Sequence, residues 1–209
     1  MSNTLGYTGK KLGFGLMRLP KANGKFDLEK TKAMVDLFMQ RGFNYFDTAY
    51  VYGDGDSERV AKAALVDRYP RESFWLVDKL PFWDAERPEQ LQEYFDESLH
   101  RTGAGYFDIY LLHSLNRELY EKAQRFGAWE FVKGLKEKGL IKHFGFSFHD
   151  TPELLDQILT EHPEAEVVQL QINYADWENP AVQSKGCYEV ARKHGKPVLI
   201  MEPVKGSAL

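Results

Sequence analysis

The spacing and character of the apolar runs predict an α/β fold, a (β/α)8 barrel of the TIM type that lacks its last unit. Short runs of β-branched and aromatic residues alternate with longer amphipathic stretches and recur roughly every thirty residues, the length of one strand-plus-helix unit. Most runs are nearly continuous in apolar character, as is typical of parallel strands covered on both faces. Their even spacing favours an eightfold barrel in which about seven units are present and the eighth is missing.

Seven segments carry the strand prediction. In chain order they read KLGFGLMRLP, FNYFDTA, FWLVDKLP, YFDIYLLHS, IKHFGFSFH, VVQLQINYAD and PVLIMEPV. The first contains Gly13 and Gly15, but no GxGxxG motif joins a strand to a helix, which disfavours an open sheet with a Rossmann nucleotide site. A barrel without its last strand leaves two open edges, so we interpret residues 1–209 as a single domain and as the N-terminal fragment of a longer chain.

Two amphipathic segments in the first half of the chain predict helices. Asp27 is a good N-cap for the first helix, and Gly42 follows its expected end. Pro88 suits the first turn of the second. The apolar stripes of these helices are Ala33, Met34, Leu37 and Phe38 in the first and Leu91, Phe95 and Leu99 in the second.

Three further helices are expected in the second half of the chain. One spans 128–138 and ends at Gly139, one opens at Pro152, and one covers 181–194. We expect His149 to cap the helix that begins near Pro152. The apolar stripes are Trp129, Val132 and Leu135 in the first of these helices and Leu154, Leu155 and Ile158 in the second.

Composition excludes several classes of protein. The chain has 209 residues and a net charge of −4, whereas a nucleic-acid partner would call for an excess of Lys and Arg. No apolar stretch approaches the ~20 residues that span a bilayer, and the amino terminus lacks a signal-peptide core. The single cysteine, Cys187, rules out an internal disulfide within this sequence. These features predict a cytoplasmic enzyme without a nucleic-acid or membrane partner.

Ionisable residues collect where the predicted strands end. Asp47 ends the second run, Tyr52 follows in the loop, Lys79 ends the third run and His113 ends the fourth. In parallel barrels this end of the strands carries the active site. An ammonium beside a tyrosine stabilises the phenolate and lowers the phenol pKa from about 10, a carboxylate can hold the ammonium, and an imidazole can orient a carbonyl oxygen. The set therefore points to reduction of a carbonyl group, with a proton supplied by the phenol.

Several motifs in order resemble the aldo-keto reductase family. FDTAYVYGDGDSE is similar to the family segment with the catalytic tyrosine, and SLHRTGAGYFDIYLLH to the segment that ends in the catalytic histidine. GLIKHFGFS, VVQLQINY and MEPVKG match later strands, so that the resemblance extends over essentially the whole sequence. The stretches around Phe148-His149 and Met201-Glu202-Pro203 resemble most closely the bacterial branch that often carries a C-terminal iron–sulfur domain. One cysteine cannot hold a cluster, so a cluster could exist only in residues beyond 209.

The resemblance implies roles for individual residues. Asp47, Tyr52, Lys79 and His113 would form the catalytic tetrad, with Tyr52 as the general acid. The cofactor would be NADP, with NAD as an alternative, and the substrate a small carbonyl compound. No metal is implied, and no strand ends in a metal-ligand spacing. Ser147 and Gln169 would bind the nicotinamide carboxamide, and the backbone of the segment holding Pro203, Gly206 and Leu209 would approach the pyrophosphate.

Other readings of the same residues stay open. Trp83, just past the third strand, is a candidate for the substrate pocket. Lys79 could instead form a Schiff base in an aldolase-like barrel, although pairing with Asp47 would keep it protonated. The chain could also be a catalytically silent module that senses a cofactor. Asp47 and Lys79 could be a buried ion pair that only supports the barrel.

Overall fold

The computed structural model describes residues 5–209, in which seven parallel strands form the main sheet. Each strand of this sheet pairs with the next one along the chain, in the order β1-β4-β5-β6-β7-β8-β9. Helices alternate with the strands, which confirms the predicted incomplete (β/α)8 barrel. The strands, including the separate hairpin β2–β3, are β1 (Gly13–Gly15), β2 (Lys21–Ala22), β3 (Lys25–Phe26), β4 (Tyr45–Asp47), β5 (Trp75–Leu80), β6 (Phe107–Leu115), β7 (Ile141–Phe148), β8 (Val167–Gln171) and β9 (Val198–Met201).

The helices lie between these strands and include all five that were expected. They are α1 (Leu28–Gln40), α2 (Asp56–Ala61), α3 (Gln90–Thr102), α4 (Arg117–Arg125), α5 (Ala128–Glu137), α6 (Pro152–Glu161) and α7 (Ser184–Lys193). The Asp27 side chain accepts a hydrogen bond from Lys30 N at the start of α1, as an N-cap does. The α3 helix begins at Gln90, two residues after Pro88. Within residues 5–209, no helix is long and apolar enough to cross a membrane.

Two helices and the hairpin were not predicted from the sequence. The α4 helix begins after Asn116, whose side chain accepts a hydrogen bond from Leu119 N. Most of its residues are charged or polar, so its short apolar stripe is not evident from the sequence. The α2 helix is only six residues long and continues directly into a π-helical turn at Lys62–Val66. Both segments are too short to show a clear periodicity.

The apolar stripe expected for α1 was wrong. Met34 and Leu37 lie exposed, whereas Thr31 and Val35 are buried. The α1 helix packs beside β1, and β1 has a strand on only one side within the described residues. Part of the apolar surface of α1 is therefore uncovered. The face of α1 that packs against the sheet is smaller than the sequence pattern predicts.

Two layers of apolar side chains fill the barrel wall and its interior. Val77, Ile109, Leu111 and Val167 form the inner layer, whereas a much larger cluster lies between the strands and the helices. Because alternate residues of a strand point to opposite faces, Lys79 points inward two residues after Val77. The inner layer thus fills the interior of the barrel, and polar side chains lie next to it at the carboxyl ends of the strands.

Candidate active site

The ends of β4 and β5 bring Asp47 and Lys79 into contact. Asp47 is the last residue of β4, and Lys79 is buried with only 1% of its side chain exposed. The Lys79 Nζ donates to Asp47 Oδ1 at 2.5 Å, to the Thr48 carbonyl at 2.7 Å and to the Tyr52 hydroxyl at 3.1 Å. All three ammonium protons therefore have an acceptor, and the Tyr52 hydroxyl is one of the three acceptors.

Unusual backbone in the loop after β4 places Tyr52. Gly53, Asp54 and Gly55 all have positive φ angles, of 60°, 57° and 88°. A Cβ atom at Gly53 would lie 2.4 Å from the ring of Phe26 in the β2–β3 hairpin. Only glycine fits this position, because it permits both the left-handed backbone and the close approach of the hairpin. The tight turn aims the preceding tyrosine at Lys79.

A break in regular pairing near the end of β6 accompanies the placement of His113. The register between β6 and β7 shifts between Leu112 and Leu115, and Ser114 has a φ of +61°. The Ser114 N–H donates to the Ser147 Oγ at 2.7 Å, which holds the irregular backbone. The His113 ring meets the edge of the Tyr52 ring at a centroid distance of 5.9 Å. Irregular strand ends of this kind are common where a side chain must be re-aimed at a functional site.

The pKa of Tyr52 is raised rather than lowered, which corrects the expectation from the sequence. Burial of the phenol raises the pKa more than the nearby Lys79 ammonium lowers it, and the Asp47 charge adds to the rise. At neutral pH the phenol therefore keeps its proton. This is the protonated form that a proton donor needs.

Burial and the neighbouring charged groups together set the charge states of Lys79 and His113. Burial lowers the pKa of Lys79, but Asp47 and Tyr52 outweigh it and raise the pKa above its ordinary value. Burial, together with the Lys79 charge and His149, holds the pKa of His113 well below its usual range. The cluster thus combines an ammonium with a neutral imidazole at neutral pH.

Gln169 contacts the cluster directly. Its Nε2 donates to Asp47 Oδ2 at 2.8 Å, so that Asp47 is held by both Lys79 and Gln169. Its Oε1 is buried without a hydrogen-bond partner, as is the His113 Nδ1. A buried acceptor without a partner is unfavourable, so these atoms are suited to a ligand that supplies the missing partner. Sequence reasoning placed Gln169 at the cofactor but did not foresee its bond to Asp47.

The segment after β9 lies at the same end of the sheet but on the rim. Pro203, Gly206 and Leu209 are exposed, and none of them reaches the cluster around Lys79. Gly206 has a φ of +65° and lies against the Arg18 guanidinium, which also pairs with Glu202 at 3.5 Å. Nothing in the sequence singles out Arg18, because it follows a short strand in an irregular loop.

Trp83 and His149 line a cleft beside His113. The cleft has a volume of about 460 Å³, and its walls include Ser114, Asn116 and Leu119. The Trp83 ring lies 5.3 Å from the His113 ring between centroids, and the Trp83 carbonyl accepts from Lys122. The expectation that His149 caps α6 was wrong, because the Thr151 side chain accepts from Leu154 N and forms the cap.

Among residues 5–209, no group of three or more His, Cys, Asp or Glu side chains could hold a metal ion. The acid–base groups at the carboxyl end of the sheet are instead the Asp47–Lys79 ion pair, the Tyr52 phenol and the His113 imidazole, whose ring lies beside the cleft residue Trp83. Such a set can transfer a proton to an oxygen atom bound between Tyr52 and His113.

Comparison with known proteins gives moderate similarity to several reductases. A soybean protein, "Probable aldo-keto reductase 1", is 28% identical over 185 residues, which cover 83% of this chain and 50% of that protein. The human "Aldo-keto reductase family 1 member C3" is 27% identical over 154 residues, covering 65% of this chain and 46% of the human one. The chain spans about half the length of the curated relatives it matches.

Solved structures share the fold. A thermostable aldo-keto reductase crystallised with the inhibitor epalrestat superimposes with a TM-score of 0.76 at 24% identity, over 100% of this chain and 73% of the other. An aldo-keto reductase from Klebsiella pneumoniae in complex with NADPH gives a TM-score of 0.74 at 22% identity, over 93% and 64% of the two chains. The sequence profile of the aldo/keto reductase family matches residues 11–209. Since that match takes in nearly the whole sequence, the chain belongs to the aldo/keto reductase family.

Proposed function

We propose that the protein reduces an aldehyde or ketone to an alcohol with a hydride from NAD(P)H and a proton from Tyr52. The observation that carries the proposal is the Lys79 ammonium, which binds Asp47, Thr48 O and the Tyr52 hydroxyl together at the mouth of the barrel. Three acceptors fix the ammonium beside the phenol. Membership of the aldo/keto reductase family supports the same reaction.

Each residue of the cluster has a separate role in protonating the carbonyl oxygen. Tyr52 donates its proton to the carbonyl oxygen while that oxygen lies between the phenol and His113. Lys79 stabilises the phenolate that forms, and Asp47 keeps Lys79 in place. His113 is neutral because of its burial and the Lys79 charge on it, so it can donate one ring N–H to the oxygen without competing as an acid.

Two side chains fit a nicotinamide carboxamide. The unpartnered Gln169 Oε1 can accept from the amide nitrogen, and the Ser147 hydroxyl, whose oxygen already accepts from Ser114 N, can donate to the amide oxygen. A bound nicotinamide dinucleotide supplies the hydride. On the rim, Arg18, which pairs with Glu202, and Lys205, which pairs with Asp176, place two cations beside the backbone of Gly206, where a pyrophosphate could bind. We propose NADP as the cofactor, in line with the NADPH complex of the structural relative from Klebsiella pneumoniae.

The Schiff-base alternative finds less support. A lysine must lose its proton before its amine attacks a carbonyl carbon. Lys79 keeps that proton because Asp47 and Tyr52 raise its pKa against the effect of burial. A silent, cofactor-sensing module would bind the nicotinamide cofactor without turnover, so a measured turnover distinguishes a reductase from it.

The test is carbonyl reduction by the intact protein with Tyr52→Phe as the variant. We expect a loss of kcat of about a hundredfold or more, the usual size of a general-acid effect, with nicotinamide binding unchanged. Tyr106→Phe is a matched control, because Tyr106 also lies beside a lysine, Lys142, but at the opposite end of the sheet. An unchanged rate of reduction in Tyr52→Phe would show that Tyr52 is not the proton donor.

A further inference from the structure

Two buried carboxyl groups face each other on the outer side of β5, next to Lys79. Leu76 and Leu80 pack between the sheet and the helices, whereas Val77 packs inside the barrel. Asp78 follows the outward alternation and lies in the helix layer, on the opposite face from Lys79. There its carboxyl group lies beside that of Glu58 from α2, both residues are 0% exposed, and one oxygen of each carboxyl group has no hydrogen-bond partner. The mechanism proposed above uses neither of them.

The hydrogen bonds around the pair account for all but two of its oxygens. Glu58 Oε2 accepts from the Arg101 guanidinium at 3.0 Å, and Asp78 Oδ1 accepts from the Lys79 N–H at 2.8 Å. Glu58 Oε1 and Asp78 Oδ2 have no other donor. Two ionised carboxylates cannot form a hydrogen bond, and two adjacent negative charges in a buried layer repel strongly. A single proton between these two oxygens satisfies both.

Neighbouring charges decide which carboxyl group carries that proton. The Arg101 guanidinium pairs with Glu58 at 3.0 Å, whereas Asp78 accepts only from a backbone N–H and has no side-chain cation on the outer face. The titratable and charged groups around the pair are Lys79 on the same strand, Tyr110 on β6, Arg101 and its partner Glu97 on α3, and Tyr50 and Tyr52 before α2. Tyr110 is a buried phenol, which adds no positive charge to stabilise an ionised Asp78.

The pair also ties two parts of the site together. Glu58 lies in the first turn of α2, where the Ser57 N–H donates to the Tyr52 carbonyl at 3.1 Å. Asp78 directly precedes Lys79 and holds its backbone N–H. The contact between Glu58 and Asp78 therefore links the segment that carries the tyrosine to the strand that carries the lysine. A change in this contact would alter the 3.1 Å distance from Lys79 Nζ to the Tyr52 hydroxyl.

We propose that Asp78 is a positioning residue that is protonated in the folded protein, and that its hydrogen bond to Glu58 holds Lys79 against Tyr52. This assignment rests on the function proposed above only for its effect on catalysis. The proton is taken up from solvent when the chain folds and forms the O–H bond of the Asp78 carboxylic acid. The isosteric amide of asparagine can make the same two hydrogen bonds, one donated to Glu58 and one accepted from Lys79 N.

A protonated Asp78 makes the stability of the protein depend on pH in a defined direction. Burial raises the pKa of Asp78 well above its ordinary value, and the Glu58 charge adds to the rise. The stabilising contribution of such a group is full below the unfolded pKa of about 4 and is lost as pH rises towards the folded pKa. Asparagine needs no proton, so Asp78→Asn avoids this loss.

The first experiment compares Asp78→Asn with the wild type in the intact protein. We expect the melting temperature of Asp78→Asn to exceed that of the wild type by about 2 °C or more at about pH 8, with the difference shrinking towards about pH 4. Asp96→Asn, an exposed change on α3, is the control and should show no such trend. In infrared difference spectra between the two proteins at neutral pH, the wild type should show the C=O band of a protonated carboxylic acid that Asp78→Asn lacks. A less stable Asp78→Asn protein at alkaline pH, or the absence of that band, would overturn the proposal.

The second experiment tests positioning. Asp78→Ala removes both hydrogen bonds, and we expect kcat to fall about tenfold or more while the KM for the nicotinamide cofactor stays within about twofold, because a small misplacement of reacting groups lowers the rate. Asp78→Asn should restore kcat to near the wild-type value. Equal kcat in Asp78→Ala and wild type would overturn the positioning role. The infrared and melting measurements need no turnover, so they stand even if the protein proves not to be a reductase, and Asp78→Asn alone decides the matter if Asp78→Ala fails to fold.

Discussion

The two ends of the sheet carry clusters of similar residue types that differ in how many of their polar atoms have a hydrogen-bond partner. At the amino end, the Asp108 carboxylate is 0% exposed and accepts from Arg71 at 2.7 Å, from Leu76 N at 2.9 Å and from Lys142 at 2.8 Å. The Arg71 guanidinium in turn lies 3.8 Å above the Tyr106 ring. Both carboxylate oxygens are occupied, and the tyrosine ring is covered by a cation.

The carboxyl end holds an aspartate, a lysine and a tyrosine as well, but leaves polar atoms free. Asp47 and Lys79 are paired with each other, whereas the Tyr52 hydroxyl accepts one hydrogen bond, from Lys79, and keeps its own proton to donate. The Gln169 Oε1 and His113 Nδ1 have no partner. A saturated cluster contributes to stability, whereas an unsaturated one beside a cleft is suited to chemistry. Residue types alone do not separate these two cases.

The largest effect should come from exchanging the two lysines for methionine. Lys79→Met removes the charge that we propose stabilises the Tyr52 phenolate, and we expect kcat for carbonyl reduction to fall about 10²–10⁴-fold. Lys142→Met removes a similar charge from Asp108, and we expect kcat to change by less than about twofold, because that cluster lies at the opposite end of the sheet from Tyr52. Steady-state kinetics on both variants checks the contrast. Equal losses in the two variants would break the distinction between the ends.

The two aspartates should show the reverse contrast in stability. Asp108→Ala leaves the mostly buried Arg71 guanidinium without its carboxylate, and breaking such a pair destabilises a protein by about 3–5 kcal/mol. Its kcat per folded molecule should stay near wild type, whereas Asp47→Asn should lose activity with a smaller change in stability. Urea unfolding followed by fluorescence, together with active-site titration, gives both quantities. A loss of kcat in Asp108→Ala with normal stability would contradict the structural role of the amino end.

The neutral His113 should leave a signature in the pH dependence of stability. Burial and the Lys79 charge lower the pKa of His113 well below its ordinary value of about 6.5. For a base with a lowered folded pKa, the unfolded chain binds the proton first, so stability is full above the unfolded pKa and falls as pH drops below it. We expect the wild type to lose melting temperature between about pH 7 and about pH 5 more steeply than His113→Gln does. Parallel curves for the two proteins would show that His113 is not held neutral by the fold.

The smallest effect should come from Ser147. Ser147→Ala removes the bond that Ser147 accepts from Ser114 N and the bond we propose it donates to the nicotinamide, and a single bond contributes about 0.5–1.5 kcal/mol. We expect the KM for the nicotinamide cofactor to rise about three- to tenfold with kcat reduced less. Ser73→Ala is a control at the amino end, where the hydroxyl bonds only the Pro70 carbonyl. No change in KM for Ser147→Ala would remove Ser147 from the proposed cofactor site.

Much of the fold could be predicted because its signals are local. Asp27 as N-cap, Pro152 in a first turn and the Trp129–Val132–Leu135 stripe each depend on a few neighbouring residues, and the structure bears them out. The strand order follows from short β/α connections. The exposed face of α1 was not predictable, since it depends on which elements cover the helix. The likeness to the bacterial branch with an iron–sulfur domain, and the catalytic roles of the four residues, stay predictions.

The sequence by itself determined the series of β/α units, the family and the strand ends at which Asp47, Lys79 and His113 stand. These properties follow from periodicity and from motifs that are read along the chain. Only the tertiary structure decided that burial keeps Tyr52 protonated, that Gln169 binds Asp47 and that Asp78 meets Glu58. The physical reason is that desolvation and hydrogen bonding depend on the distances between elements far apart in sequence, and those distances exist only once the strands and helices have packed.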